Sequence, residues 1–438
     1  MKKVVIIGAS DTGITAALRI RELNKNLRPL VIADNNYPNY SICGIPFYLG
    51  GRVEKWQNLA HRTREDLEEA GFDLRLDTRA TGIAPEQKLV TVNPNDGEKK
   101  KITYDELVLA TGARSAVPPI EGIHLPGVFT LRWMDDCLEF EYFLTEEDVE
   151  KALIIGGGYV GLEMAEALTN RGLAVTLVEF EDTILNTVAP ELRRLVQEKL
   201  EAEGIQVVTG TAVEKIAENG GSLRISGSGG FRDEADTVLV STGAEPATEL
   251  GREIGIETGK SGAYRVNKRM ETSISHIYAG GDCVKTPHLL TGEDTHFAIG
   301  TVAHRHGRVI GSNICGYEEE YEGALGTQSL KLFDLVVART GLTAEEAGEA
   351  GYSSVEVEVE VPDHKSYYPP SYDLRVRVVA DRETEKLLGA QIAGSVEAEV
   401  SKRIDIFATA LAAGMYMGSF NRLDLSYTPP LSSPFDPV

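Results

Sequence analysis

The sequence lacks the features of a disulfide-bonded, metal-binding or membrane-spanning protein. It contains four cysteines, at positions 43, 137, 283 and 315, and none of them forms a Cys-x-x-Cys pair. Cysteines so widely spaced match neither a zinc site nor a disulfide framework. No apolar run approaches the roughly 20 residues that a membrane-spanning helix requires. The short apolar run before Gly8 is typical of a buried strand rather than of an export signal, so we expect a cytoplasmic protein.

The sequence is also poor in basic residues. Its 44 lysines and arginines face 67 aspartates and glutamates, which gives a net charge of −23. This balance argues against nonspecific binding to nucleic acid, because phosphate backbones are attracted by basic surfaces. The 438 residues, of which 42% are hydrophobic, are typical of a globular protein with about three domains. We therefore expect no nucleic-acid partner.

The N-terminal residues predict a βαβ nucleotide-binding unit. An apolar strand over 3–7 precedes a loop with Gly8, Ser10 and Gly13, a helix over 14–23, and a strand over 29–33 that ends at Asp34. Such a unit holds a pyrophosphate at the helix N-terminus, and the acid accepts ribose hydroxyls. Because Ser10 replaces the middle glycine of the Gly-x-Gly-x-x-Gly motif, a tight turn without a ligand remains an open alternative.

A second βαβ unit follows with a complete motif. A strand over 152–155 leads into Gly156, Gly158 and Gly161, and a helix and a strand over 174–178 then end at Glu179. Because every part of the fingerprint occurs in order, this unit predicts a dinucleotide site. A carboxylate at that strand end binds the ribose diol of NADH and repels the 2′-phosphate of NADPH, so NADH is the expected donor.

Two Thr-Gly turns and one Gly-Asp turn complete the pattern, at Ala110-Thr111-Gly112, Thr242-Gly243 and Gly281-Asp282. The combination resembles the two-dinucleotide-binding flavoproteins of the pyridine nucleotide-disulfide oxidoreductase superfamily. The resemblance implies an α/β fold with two Rossmann-like domains and a C-terminal α+β dimerisation domain. The implied boundaries are 1–113 and 246–322 for a discontinuous FAD domain, 114–245 for the NAD domain, and 323–438 for the dimerisation domain.

The resemblance also implies which residues bind the cofactors. Tyr159 resembles an aromatic residue that covers the flavin until nicotinamide displaces it, although packing at a helix start is its alternative. Glu163 resembles a glutamate near the nicotinamide amide. The full set predicted for FAD and NADH is Gly8, Ser10, Gly13, Asp34, Ala80, Ala110, Thr111, Gly112, Arg132, Gly156, Gly158, Tyr159, Gly161, Glu163, Glu179, Gly243, Gly281 and Asp282.

Cys43 is the candidate redox centre. It follows the first nucleotide unit and precedes Gly44, where we expect a helix start to lower the thiol pKa. Tyr48 stands where dithiol members of the superfamily carry a second cysteine, so the chain resembles the single-cysteine group. That resemblance implies a mixed disulfide, a persulfide or a sulfenic acid at Cys43. Its alternative is an inert buried thiol, which is the role we expect for the other three cysteines.

Several residues bear on the substrate. Tyr367 and Tyr427 match a tyrosine pair of coenzyme A-disulfide reductases, with Tyr368 as the alternative to Tyr367. By resemblance they act on the redox cysteine of the partner subunit in a homodimer. The substrate-binding residues implied are Arg19, Arg21 and Ser41, although for the two arginines a solvated helix face is the alternative.

Three residues depart from the family pattern. Asp11 occupies the position where NADH oxidases and peroxidases of this group carry a histidine, and an acid there opposes a sulfenate or thiolate. Thr12 is expected to crowd the pyrophosphate turn, and Ile42 removes a polar contact at the sulfur. We expect His61, His304 and His306 to be structural. The aromatics Tyr427 and Phe435 favour a docked C-terminal tail, with a disordered tail as the alternative.

The predicted enzyme is an FAD-dependent NADH oxidoreductase that reduces a disulfide or persulfide, most specifically that of coenzyme A. One alternative is an NADH oxidase or peroxidase acting through a cysteine sulfenate. Another is a flavin electron-transfer reductase without a thiol, and a non-enzymatic redox sensor is the remote one.

Overall fold

The computed structural model describes residues 2–420, 422–434 and 436; Phe435 lies outside them. The first part of the chain comprises the elements β1 (Val4–Ile7), α1 (Asp11–Leu23), β2 (Leu30–Ile32), α2 (Ile45–Leu49), α3 (Arg64–Glu69), β3 (Asp73–Arg75), β4 (Thr78–Ala84), β5 (Leu89–Pro94), β6 (Lys100–Thr103), β7 (Glu106–Leu109) and β8 (Ala113–Ser115). The apolar strand β1 is fully buried and pairs in parallel with β2 and β7. Burial on both faces explains its unbroken Val-Val-Ile-Ile sequence.

The next part forms a second parallel sheet. Its elements are β9 (Val128–Thr130), α4 (Met134–Glu146), β10 (Lys151–Ile155), α5 (Tyr159–Asn170), β11 (Ala174–Val178), α6 (Pro190–Ala202), β12 (Gln206–Val208), β13 (Val213–Asn219), β14 (Ser222–Gly227), β15 (Arg232–Ala235), β16 (Thr237–Val240) and β17 (Ala244–Pro246). The strand order is β12-β11-β10-β16-β9. Strand β17 pairs with β8, so the chain leaves and re-enters the first part side by side.

The chain then returns to the first sheet. The elements here are α7 (Glu249–Glu253), β18 (Ile277–Ala279), β19 (Thr286–Pro287), β20 (Asp294–Thr295) and α8 (Gly300–Ile314). Strand β18 joins β7 and gives the order β18-β7-β1-β2-β3. Helix α8 packs closely on α1, because a Cβ at Gly307 would lie 2.4 Å from the Thr12 carbonyl oxygen.

The last part is an antiparallel sheet with helices packed against it. It comprises β21 (Gln328–Leu332), β22 (Leu335–Gly341), α9 (Ala344–Glu349), β23 (Ser354–Pro362), β24 (Asp373–Asp381), β25 (Leu387–Ser395), α10 (Val400–Ala412) and α11 (Met417–Phe420). The strand order is β21-β22-β25-β24-β23. Apolar residues of α10, such as Phe407, pack on the sheet and form a separate hydrophobic core. Among the described residues, every helix is too short or too polar to cross a bilayer.

Candidate active site

The first glycine loop borders a cavity of about 390 Å³. Gly8 has a φ of +116°, and a Cβ there would lie 2.0 Å from the Ala110 carbonyl oxygen, so only glycine fits. A Cβ at Gly13 would lie 1.9 Å from the Gly8 carbonyl oxygen, which lets α1 begin directly on the loop. The predicted residues that line the cavity are Gly8, Ser10, Asp34, Ala80, Ala110 and Thr111. A cradle of this kind suits a dinucleotide pyrophosphate.

The second glycine loop borders a larger cavity of about 800 Å³. The predicted residues along it are Arg132, Gly156, Gly158, Tyr159, Glu179 and Gly243. The Glu179 carboxylate accepts hydrogen bonds from the Gly157 amide at 2.6 Å and from the Glu181 amide at 2.8 Å. These bonds fix the acid at the end of β11. Gly161 lies behind the loop, where a Cβ would clash with the Gly156 carbonyl oxygen at 2.0 Å.

Arg132 and Asp282 form an ion pair next to the second cavity. The two residues are 150 positions apart, and the Gly281 amide before Asp282 donates to His306 Nδ1 at 3.1 Å. The Nε atom of Arg132 is buried and has no hydrogen-bond partner among the described residues. Arg132 lines the second cavity and its neighbour Trp133 lines the first, so an unused buried donor here fits a bound cofactor that supplies the acceptor.

Cys43 lies in a 3₁₀ turn, Ile42–Gly44, and is exposed. Its neighbour Ile42 lines the first cavity, which places the cysteine turn at that cavity's edge. Surrounding groups desolvate the sulfur, and this burial raises the pKa of the Cys43 thiol. The carboxylates of Glu163 and Asp11 raise it further, whereas the positive charge of Arg132 lowers it. The predicted lowering of the thiol pKa is therefore wrong for the protein chain alone. Helix α2 has only five residues, too few for a dipole that outweighs desolvation.

Glu163 lies on α5, one turn before Glu166. Burial raises the pKa of Glu163 to about 7, and the neighbouring Glu166 carboxyl adds to the effect. Glu166 itself is paired with Lys331 and accepts from the Phe333 amide at 2.9 Å. Because the Glu163 carboxylate also raises the pKa of Cys43, the acid and the thiol lie in one electrostatic environment.

Thr12 does not crowd the pyrophosphate turn, and that prediction is wrong. Its side chain is buried, and its hydroxyl donates to the Ala303 carbonyl of α8 at 2.9 Å. A Cβ at Gly281 would lie 2.6 Å from the Thr12 hydroxyl oxygen, so Thr12 packs between the helix and the Gly-Asp turn. Thr12 therefore stabilises the packing of α1 on α8.

Arg19 and Arg21 are engaged inside the protein. Arg19 Nε donates to the Ser312 hydroxyl at 2.9 Å, and its guanidinium also binds Glu22 at 2.8 Å. Arg21 donates to the carbonyls of Ala70 at 3.1 Å and Leu27 at 2.8 Å. These contacts occupy several donors of both arginines and support a structural role, while the binding of substrate phosphates by Arg19 and Arg21 stays a prediction. Ser41, by contrast, precedes the cysteine turn and is partly exposed.

Tyr367 and Tyr427 lie on neighbouring segments. The Lys365 amide donates to the Pro429 carbonyl at 3.3 Å, which joins the loop of Tyr367 to the tail of Tyr427. Both rings are exposed, to 71% for Tyr367 and 48% for Tyr427, and Tyr368 is exposed to 50%. The described tail is held in place, because Arg403 binds Asp436 at 2.5 Å and the Asp363 carbonyl at 2.7 Å.

Other residues of the first cavity escaped prediction. They are Tyr37, Tyr40, Arg79, Arg114 and Trp133. Tyr37 and Tyr40 pack edge to face, with ring centroids 5.8 Å apart. The aromatic residues just before Cys43 were the available signal for Tyr37 and Tyr40. Arg79, Arg114 and Trp133 lie within two residues of the predicted Ala80, Gly112 and Arg132, so these neighbours were the available signal for them.

Family models match almost the whole chain. The model described as pyridine nucleotide-disulphide oxidoreductase covers residues 2–307, and the dimerisation domain of the same family covers residues 327–437. The chain belongs to the pyridine nucleotide-disulphide oxidoreductases. The predicted family, the α/β fold class and the cofactor pair of FAD and NAD(P)H are thereby confirmed. The dimerisation domain indicates a homodimer.

Relatives of the family match this chain over its full length. An NAD(P)H sulfur oxidoreductase (CoA-dependent) from Pyrococcus furiosus is 34% identical and covers 100% of this chain and 97% of the relative. An NADH oxidase from Methanocaldococcus jannaschii is 33% identical with the same coverage. Two solved structures are also similar.

The NAD-dependent persulfide reductase from A. fulgidus is 38% identical to this chain. It has a TM-score of 0.95 and covers 99% of this chain and 81% of that chain. The reduced CoADR-RHD from Bacillus anthracis is 32% identical, with a TM-score of 0.96, and covers 100% of this chain and 78% of that chain. The two structures therefore share the whole architecture of this oxidoreductase.

Proposed function

We propose that this oxidoreductase reduces a disulfide or persulfide of coenzyme A with NADH, through Cys43. The solvent exposure of Cys43 is the main support for this proposal. Cys43 is exposed, whereas Cys137 and Cys283 are buried and Cys315 is only partly accessible. A substrate sulfur can reach an exposed thiol at the edge of the first cavity. The names of the relatives, a CoA-dependent sulfur oxidoreductase and a persulfide reductase, support this substrate class.

The residues of the two cavities would hold the cofactors. Gly8, Gly13 and Asp34 would hold FAD, together with Thr111 and Asp282, and Gly156, Gly158 and Glu179 would hold NADH. When bound, FAD takes reducing equivalents from nicotinamide and supplies an electron pair for sulfur chemistry. We propose 1–113 with 246–322 as the FAD domain, 114–245 as the NAD domain and 323–438 as the dimerisation domain. The pairing of β8 with β17 supports this division.

Cys43 would act as the nucleophile. Its thiolate attacks one sulfur of the substrate, a mixed disulfide or persulfide forms, and the second sulfur leaves as a thiolate. We propose that Tyr367 and Tyr427 donate hydrogen bonds to that leaving sulfur at Cys43 of the partner subunit. Both rings are exposed, which supports this role, because a tyrosine that contacts the active site of the partner subunit has to lie on the surface of its own subunit. Four cysteines without a disulfide support a reducing, cytoplasmic setting.

Stopped-flow consumption of NADH tests the proposal. Purified FAD-loaded protein is offered coenzyme A disulfide, coenzyme A persulfide, peroxide and oxygen separately, alongside Cys43→Ser and the matched control Cys315→Ser. We expect turnover with a coenzyme A species that is abolished in Cys43→Ser and kept in Cys315→Ser. Turnover with oxygen or peroxide alone would favour an NADH oxidase, which is the name of the Methanocaldococcus relative. Full activity in Cys43→Ser would refute the thiol mechanism.

A further inference from the structure

Asp11, Thr15 and His304 form a polar cluster between α1 and α8. His304 Nε2 lies 3.5 Å from Asp11 Oδ1, and His304 Nδ1 lies 2.8 Å from the Thr15 hydroxyl. The His304 side chain is 50% exposed, and the Asp11 side chain is 26% exposed. The imidazole therefore connects solvent with a carboxylate that faces inward.

The inner end of this cluster adjoins the cysteine turn. The Asn39 amide donates to the Ala9 carbonyl at 2.8 Å, which fixes the segment before Cys43 on the glycine loop that leads to Asp11. Ser10 and Ile42, the immediate neighbours of Asp11 and Cys43, line the same cavity. The Asp11 carboxylate accordingly raises the pKa of the Cys43 thiol.

Charged groups from several elements face Asp11. Burial raises the pKa of the Asp11 carboxyl, and Asp282 after β18 adds to this effect. His304 of α8, His61 before α3 and Arg132 before α4 act in the opposite direction. Burial and Asp282 thus favour the neutral carboxyl, while His304, His61 and Arg132 favour the carboxylate, and opposing influences of this kind suit a group that gains and loses a proton.

Cleavage of a disulfide needs such a proton. When the Cys43 thiolate attacks a disulfide R–S–S–R, the bond between Cys43 and one sulfur forms and the S–S bond breaks. The electron pair departs on RS⁻, which becomes RSH only by taking up one proton. A thiol of ordinary pKa is a poor leaving group as the free thiolate, so its protonation assists the step.

We propose that Asp11 and His304 form a proton relay that delivers a proton from solvent to the RS⁻ that departs from the substrate disulfide when Cys43 attacks it. The proposal rests on the proposed thiol chemistry and deepens it. The proton held by the pair moves to RS⁻, and the half-exposed imidazole recovers a proton from water. Asp11, which by charge alone would disfavour the thiolate, thereby serves the reaction together with His304.

Two neutral disulfides separate a relay from a simple charge effect. The thiolate released from 4,4′-dithiodipyridine has a low pKa and leaves without a proton, whereas that from bis(2-hydroxyethyl) disulfide requires one. Holoenzyme is reduced anaerobically with one equivalent of NADH and mixed with each disulfide. The pyridine thione is followed by absorbance, and the modified Cys43 is followed by mass spectrometry of quenched samples.

We expect Asp11→Asn and His304→Asn to slow the exchange with bis(2-hydroxyethyl) disulfide about tenfold or more. The exchange with 4,4′-dithiodipyridine should keep its rate or become faster, because Asp11→Asn removes a negative charge near the thiolate. His276→Asn is the matched control, since His276 forms a similar histidine–carboxylate pair with Glu106 at 3.2 Å in another region. Asparagine also tolerates its left-handed backbone, with a φ of +66°.

Equal slowing with both disulfides, or no slowing with either, would overturn the relay. Retained flavin absorbance shows that the variants fold. If Asp11→Asn loses its flavin, His304→Asn still tests the relay, because the half-exposed His304 side chain can be replaced with less effect on folding. Neither disulfide contains coenzyme A. If coenzyme A species are not substrates, the proposed function is refuted. The relay is tested separately, by the ratio of the exchange rates with the two disulfides.

Discussion

Replacement of Glu163 by glutamine should stabilise the protein at alkaline pH and leave it unchanged in acid. In the folded protein, burial raises the pKa of this carboxyl from its ordinary 4.5 to about 7. The folded state therefore binds the proton more tightly than the unfolded chain does. Wild-type stability is lost as the pH rises from 4.5 through 7, because the buried carboxyl has to ionise. Glutamine is neutral at every pH and avoids this cost.

The size of the effect follows from the pKa change. A rise from 4.5 to about 7, at about 1.4 kcal/mol per pKa unit, corresponds to about 3 kcal/mol. The entropy of unfolding is about 2 cal/mol/K per residue, and the shift in Tm is the free-energy change divided by this entropy. If all 438 residues unfold together, the Tm of the variant at alkaline pH should be about 3 °C higher than that of wild type. The gain would be larger if the part containing α5 unfolds by itself.

Thermal unfolding of wild type and Glu163→Gln at pH 5 and pH 8 measures this difference. The Tm of the variant should exceed that of wild type at pH 8 and approach it at pH 5. Glu69→Gln is the control, since Glu69 is exposed on the short helix α3 and should shift the Tm equally at both pH values. A Tm difference for Glu163→Gln that is the same at pH 5 and pH 8 would refute the reasoning.

Two further predictions concern the nucleotide cavities. Gly8→Ala should lose FAD on gel filtration, because the added Cβ would lie 2.0 Å from the Ala110 carbonyl oxygen. The loss is measured by flavin absorbance per chain, and full retention of flavin would contradict the predicted FAD site. Glu179→Ala should raise the ratio of kcat/KM for NADPH over NADH about tenfold, because a carboxylate that repels the 2′-phosphate is removed. An unchanged ratio in steady-state assays would show that Glu179 does not face the ribose.

The nucleotide-binding segments could be predicted because their signals are local. A buried apolar strand, a glycine turn, a helix and an acid at the next strand end follow one another within about 30 residues. Gly8 and Gly156 fall at positions of positive φ, +116° and +112°, as such turns require. The C-terminal domain was expected from the family resemblance, as 323–438, and the family's dimerisation model matches residues 327–437.

Local patterns could not predict the contacts of residues whose partners are distant in sequence. Arg19 and Arg21 are typical of a basic helix face, yet Ser312 and the carbonyl of Ala70 occupy their donors. Thr12 stands in the glycine loop but binds the Ala303 carbonyl. In each case the side chain found a partner from another element, and no spacing along the chain records that choice.

The sequence by itself determined the two glycine cradles, the acids that follow them and the identity of the candidate redox cysteine, because each is written within one βαβ unit or one short turn. Only the tertiary structure decided the electrostatics around that cysteine. It brought Asp11 to His304 over 293 positions and Arg132 to Asp282 over 150. It also desolvated Cys43 and Glu163, so that burial, which depends on every surrounding element, raises both pKa values.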